Sequence, residues 1–298
     1  MYTTLISVSQ LQTLLASGQP CMVFDCSFDL GQPSLGEQQY QQAHIPGAVY
    51  AHLAEALSAR HGAPGPQGVL TAGGADEPAS GGRNPLPNRE RFATWLSSVG
   101  FDNGMQAVVY DRNGANFCGR LWWMLKWVGH DAAAVLDGGL QAWQGAGGSV
   151  AEGTEPSRFQ TNFVLGSAHA RLVRTGEIER QLGHAGLTLI DARAPARFRG
   201  EVEPLDPVAG HIPGAINRPF SQNLGADGKF KPAEQLRAEF TALLGGRDPR
   251  TVVHSCGSGV SAVPNLLAME VAGLSGAGLY AGSWSEWCSD ANRPVERS

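Results

Sequence analysis

The stretch His254-Ser255-Cys256-Gly257-Ser258-Gly259-Val260-Ser261-Ala262 follows the β-branched run Thr251-Val252-Val253. It sets a cysteine at the end of an apolar strand, then glycines and small hydroxyls, then the start of a helix. In an open α/β sheet, ligands bind beyond the carboxyl ends of the strands, which is where Cys256 falls. Gly257 and Gly259 allow backbone conformations closed to other residues, so successive N–H groups can turn inward as an anion-binding nest. A helix starting near Ser261 adds its positive end, with Pro264 in the first turn, where a missing N–H costs little. The anion at the centre of such a nest is the Cys256 thiolate, the nucleophilic form of cysteine. Ser258 and Ser261 supply hydroxyl donors to the same space. Packing alone would account for a buried cysteine, but not for the glycines and hydroxyls around it. Phosphatase chemistry also uses a cysteine loop before a helix, but it needs an arginine to close the loop, and Ala262 stands there.

The other cysteines have no such setting. Five occur in 298 residues, at 21, 26, 118, 256 and 288, with no CxxC pair and no Cys/His cluster of zinc-ligand spacing. Reduced thiols in the cytoplasm are the expectation, with no metal or organic cofactor. A formal charge of −5 gives no electrostatic reason to expect nucleic acid or an anionic membrane as partner. No run of about 18 apolar residues is present, so no membrane span is expected. The opening MYTTLISVSQLQTLLASGQPC lacks a basic leading region. It reads as a short helix capped by Ser9 and stopped at Gly18, rather than as a signal peptide.

The elements that must position Cys256 repeat along the chain. Met22-Val23-Phe24-Asp25 pairs with Thr188-Leu189-Ile190-Asp191, and His44-Ile45-Pro46-Gly47-Ala48 recurs letter for letter as His211-Ile212-Pro213-Gly214-Ala215. The run 107–111 matches 252–256 in pattern, which sets Asp111 opposite Cys256, and the segment 136–143 resembles 279–287. Four matches in the same order indicate a duplicated domain. Short apolar runs alternate with helical patterns at 91–99 after Asn88, at 119–128, at 177–182 after a Thr175 cap, and at 260–271. These predict parallel strands in βα units. The fold class is therefore α/β, two tandem domains each with a central parallel sheet flanked by helices. We place the domains at residues 1–146 and 168–298, joined by a linker at 147–167. A second irregular stretch, Arg60–Arg83, is dense in Gly, Pro and Ala, and loops of that length are usually functional or disordered.

Two tandem domains with HIPGA, an LDGGLxxW-like segment and a loop beginning CGSGV resemble the two-domain rhodanese sulfurtransferases over nearly the whole chain. The resemblance implies that the second-domain cysteine, Cys256, takes a sulfane sulfur from a donor, holds it as a persulfide and passes it to an acceptor. The acceptor would be a thiol, such as thioredoxin or glutathione, or cyanide. It also implies a first domain without the nucleophile. The uncharged loop Gly257, Ser258, Gly259, Val260 and Ser261 is similar to that of the 3-mercaptopyruvate branch, whereas the thiosulfate branch usually carries cations after the cysteine. By the same resemblance Arg197 binds the substrate carboxylate, and Ser258 acts in proton transfer. Arg193 and Arg199 are read as solvated or salt-bridged.

The chain departs from that branch at three places. Leu205 stands where a second substrate arginine is usual. Glu55 stands near the place of a relay aspartate, and Asn84, which cannot relay a proton, stands where histidine is typical. These departures keep a thiosulfate donor as the alternative, alongside a non-catalytic persulfide- or redox-sensing module. His44 and His211 occur once per domain, so a structural role shared by both halves accounts for them. His254 lies two residues before Cys256 and, by strand alternation, on its side of the sheet, where it either tunes the thiolate or packs.

Overall fold

Residues 1–59 and 77–298 are described by the structure, a computed structural model. The first domain holds β1 (Leu5–Ile6), α1 (Val8–Ala16), β2 (Cys21–Asp25), α2 (Leu35–Gln42), β3 (Val49–Tyr50), α3 (Arg89–Ser98), β4 (Gln106–Tyr110), α4 (Cys118–Trp127), β5 (Ala133–Leu136) and α5 (Gly139–Gly145). The second holds β6 (Arg171–Val173), α6 (Thr175–Gln181), β7 (Thr188–Asp191), α7 (Pro195–Phe198), β8 (Ile216–Asn217), α8 (Ala233–Leu244), β9 (Val252–Ser255), α9 (Val263–Val271), β10 (Gly278–Tyr280) and α10 (Ser283–Trp287). Each domain carries a five-stranded sheet, ordered β1-β5-β4-β2-β3 in one and β6-β10-β9-β7-β8 in the other. Every pair is parallel. The central strands β2, β4, β7 and β9 are buried almost throughout, because helices cover both faces of such sheets.

Matched registers make the duplication exact in place as well as in order. Asp25 pairs with Tyr110 in the first sheet, and Asp191 with Ser255 in the second. The next residues, Asp111 and Cys256, therefore leave equivalent central strands at equivalent points. The helices that follow, α4 and α9, are buried almost all round, as a helix enclosed on every side must be. They pack against each other, and one hydrophobic core runs through both domains around them, from Phe24 and Trp122 to Val263 and Leu267.

Three predicted boundaries shift. The first helix is capped by Ser7, not Ser9: Ser7 Oγ accepts the Gln10 N–H at 3.2 Å, and the Gln10 side chain accepts the Ser7 N–H at 2.9 Å, a capping box that places Ser9 already within the helix. Thr175 is the first helical residue of α6, and Glu177 reaches back to the Arg174 N–H at 2.9 Å. The helix expected from 260 begins at Val263, because the chain before it stays open as a loop.

The repeated HIPGA turns are structural in both domains. His44 Nδ1 lies 2.8 Å from the Tyr40 carbonyl and its ring stacks on Tyr40; His211 Nδ1 lies 2.7 Å from the Phe198 carbonyl and stacks on Phe198. Each turn is also capped by a carboxylate from the segment that follows the last helix of its domain. Glu155 accepts the Gly47 N–H and Glu296 accepts the Gly214 N–H. The connecting segment is thus strapped to the first domain, where Ala151 bridges to His44, and Phe163 is buried beside Phe101. Residues 60–76 of the second irregular stretch lie outside the described residues.

Candidate active site

The site begins with a strand that ends and a helix that waits. Cys256 follows β9 and is buried, with its N–H donated to Ser283 Oγ at 3.0 Å. Ser283 in turn donates its hydroxyl to the Tyr280 carbonyl at 2.8 Å. It is one of two non-glycine residues at positive φ among the described residues, at +53°, a conformation that side-chain-bearing residues adopt only when their surroundings fix them. The carbonyls of Cys256 and Gly257 accept the N–H groups of Trp284 and Ser285 at 3.0 and 2.9 Å. With those carbonyls turned toward α10, the N–H groups from Gly257 to Ala262 go to no acceptor among the described residues. Gly259 makes the turn possible: its φ is +73°, and a Cβ there would stand 2.1 Å from the Ala281 carbonyl oxygen.

The first domain shows what such a loop binds. There the carboxylate of Asp111 accepts the N–H groups of Asn113, Ala115, Phe117 and Cys118 at 2.8 to 3.1 Å. A chain of inward N–H groups closes on an anion carried by the residue that corresponds to Cys256. The same scaffold ties are present, since Leu140 donates to the Asp111 carbonyl as Trp284 does to that of Cys256. Cys118, in contrast, is buried at the start of α4, and burial together with the Asp111 charge pushes its thiol well above the ordinary range. Burial does the same to Cys26.

Both domains furnish the walls. Asn84 donates from Nδ2 to Ser258 Oγ at 2.8 Å. Arg120, on α4 and fully buried, donates to the carbonyls of Leu57, Asn84 and Gly259 at 3.0, 2.8 and 3.3 Å. Burial pushes its guanidinium down to about 10, opposed by the negative charge of Cys256. The Arg83 N–H donates to Ser285 Oγ at 3.0 Å, and its guanidinium is paired with Asp206. A Cβ on Gly257 would lie 3.1 Å from Arg83 Nη2 and 3.4 Å from Arg197 Nη1, so two guanidiniums, one from each domain, meet over the residue after Cys256. Arg197 is held from behind by Glu203 at 2.6 Å and Asp206 at 3.4 Å.

The residues singled out in the sequence separate cleanly. Cys256, Gly257, Ser258, Gly259, Val260, Arg197 and Asn84 come together, and half-buried Ser261 closes the loop. Glu55 does not join them. Ala54 donates its N–H to His52 Nδ1 at 3.1 Å, which turns Ala56 and Leu57 inward and leaves Glu55 exposed, without a bond to the loop. His254 packs rather than tunes: it is fully buried with Nε2 3.1 Å from Met269 Sδ, and burial, then the Arg218 charge, hold it down at about 3, hence neutral. Leu205 is exposed, as is Arg199, which pairs with Glu201. Arg193 is buried in a bidentate pair with Asp191. Sequence reasoning passed over Arg83, Arg120, Asp206 and Ser283. Only Arg83 carried a signal, its place beside Asn84, because the others matter through contacts between segments distant in the chain.

Comparison with known proteins follows this geometry. A family model described as a rhodanese-like domain matches residues 7–146 and again 175–290. A Pseudomonas aeruginosa protein described as "Probable 3-mercaptopyruvate sulfurtransferase" is 45% identical over 292 residues, covering 98% of this chain and 97% of that one. The thiosulfate sulfurtransferase of Cricetulus griseus is 30% identical, covering 98% and 94%. Among solved structures, the 3-mercaptopyruvate sulfurtransferase from Leishmania major superposes with a TM-score of 0.81 at 30% identity, covering 98% of this chain and 76% of that one.

Proposed function

The chain belongs to the rhodanese family and is a sulfurtransferase, and on that premise we propose that it moves the sulfur of 3-mercaptopyruvate to a thiol acceptor through a persulfide on Cys256. The Arg197 guanidinium, presented by Glu203 toward Gly257, takes the substrate carboxylate. The Cys256 thiolate attacks the substrate sulfur. An S–S bond forms as the C–S bond breaks, and the electron pair leaves as the pyruvate enolate. Asn84 donates to the Ser258 oxygen, which leaves the Ser258 proton to point at the departing enolate. The enolate carbon takes that proton and becomes the methyl group of pyruvate. The proton that the substrate sulfur carried is given up by the persulfide and restores the Ser258 hydroxyl. The loop N–H groups stabilise the charge on sulfur during transfer. A second thiol, such as thioredoxin or glutathione, or cyanide, then removes the outer sulfur and restores the thiolate, so the kinetics are ping-pong.

The observation that carries this reading is the Cys256 loop, uncharged and with its N–H groups uncommitted among the described residues, beside one guanidinium per domain. No disulfide joins the five cysteines, in keeping with a reducing, cytoplasmic setting, and among the described residues no helix is long and apolar enough to cross a membrane. A second reading, thiosulfate as donor, draws on the convergence of Arg83 and Arg197 over Gly257, which suits a dianion. Sulfur transfer measured separately from the two donors decides between them. A higher kcat/KM with 3-mercaptopyruvate is expected; a higher value with thiosulfate reverses the assignment, and transfer from neither leaves a binding module.

A further inference from the structure

The segment after α7 supplies two buried carboxylates to the two arginines of the site. The N–H groups of Leu205 and Asp206 donate to Glu203 Oε1 at 3.1 and 3.2 Å, so the turn folds around Glu203 and aims Asp206 toward the domain boundary. Glu203 pairs with Arg197 and, at 3.4 Å, with Arg193. Asp206 pairs with Arg83 through Oδ1 and with Arg197 through Oδ2, its side chain only 3% exposed. Among the described residues it is therefore the carboxylate shared by both guanidiniums that face Gly257, and it joins an arginine of the first domain to one of the second.

We propose that Asp206 is a specificity-determining residue that selects singly charged over doubly charged sulfur donors. The proposal rests on the sulfurtransferase reading of this site. Its own negative charge offsets part of the field that Arg83 and Arg197 present to the donor. The repulsion it adds grows with donor charge, so a dianion such as thiosulfate suffers about twice the penalty of a monocarboxylate such as 3-mercaptopyruvate. A buried charge is weakly screened, so the effect acts at the loop even at ordinary ionic strength. Asp206 acts through the arginines and touches no reacting atom. The exposed Leu205 beside it carries no charge, and Glu203 pairs with Arg197 and Arg193 but not with Arg83, so among the described residues Asp206 is the carboxylate of this turn that acts on both site arginines.

The test is kcat/KM for both donors in wild type, Asp206→Asn, Asp206→Glu and Arg83→Gln. Asparagine keeps an acceptor oxygen for the arginines and removes the charge, so the thiosulfate to 3-mercaptopyruvate ratio should rise by roughly tenfold, carried mostly by KM. Glutamate should leave the ratio near that of wild type, and Arg83→Gln should move it the opposite way. An unchanged ratio in a folded Asp206→Asn protein overturns the proposal. So does an equal loss of both donors in the asparagine and glutamate variants, which would make Asp206 a scaffold residue only. Transfer from neither donor by wild type would instead refute the sulfurtransferase reading, and the proposal with it.

Discussion

The carboxylate of Asp111 sits in the first domain where the sulfur of Cys256 sits in the second, one residue past equivalent ends of equivalent strands. It accepts four backbone N–H groups, so in the first domain a side-chain carboxyl fills the loop that in its twin surrounds Cys256. Asp111→Ala should leave those buried donors unpaired and lower stability by about 2–4 kcal/mol, read from urea denaturation. Loss of less than about 0.5 kcal/mol would mean that the loop does not depend on its anion.

Ser283 stands in the second domain where Gly139 stands in the first, before the residue whose N–H reaches the Cys256 or Asp111 carbonyl, and it holds the Cys256 N–H at 3.0 Å. Glycine tolerates the positive φ of this position but removes the hydroxyl. Ser283→Gly should fold, with kcat reduced about tenfold by the loss of one bond that fixes the nucleophile. Unaltered kcat would show that the loop holds Cys256 without it.

Asn84 and Ser258 should behave as one unit, because Asn84 acts only through the Ser258 hydroxyl. Each single change to alanine is expected to lower kcat with 3-mercaptopyruvate by about tenfold, and the double variant should be little worse than either single one. Multiplying losses would separate the two residues and show that Asn84 does not act through the Ser258 hydroxyl.

Much of this site was legible because its signals are local. Cys256, the two glycines and Ser258 lie within a few residues, and the repeated HIPGA and strand patterns exposed the duplication and with it the α/β class. Asp111 opposite Cys256 also followed from that pairing. Asp206 and Arg120 were not legible, and Arg83 only through its place beside Asn84, since each owes its role to a partner dozens of residues or more away, across the boundary between domains. Glu55 was misplaced for the same reason: its distance from the loop depends on a local turn at His52 that the pattern of residue types does not show. His254 faced the expected side, but the sulfur of Met269, on the facing helix, decided its role.

The buried, neutral state of His254 has a consequence for acid stability. An unfolded histidine titrates near 6.5, whereas His254 is held at about 3 by burial and by Arg218. Between those values the unfolded chain takes up a proton that the folded chain refuses, so stability falls as pH drops through that window, by up to about 1.4 kcal/mol per pH unit. His254→Leu removes this contribution. The fall in urea midpoint between about pH 7 and about pH 5 should therefore be smaller in the variant than in wild type; an equal fall would show that His254 titrates normally in the fold.

The central claim is that Cys256 carries the sulfur between two half-reactions. Its most direct test is the intact mass of wild type and Cys256→Ser after brief exposure to 3-mercaptopyruvate without acceptor. The account predicts a gain of one sulfur atom in wild type, reversed by cyanide or a thiol, and no gain in the variant. An unchanged wild-type mass while transfer proceeds at full rate, or a sulfur adduct in the variant, would contradict it.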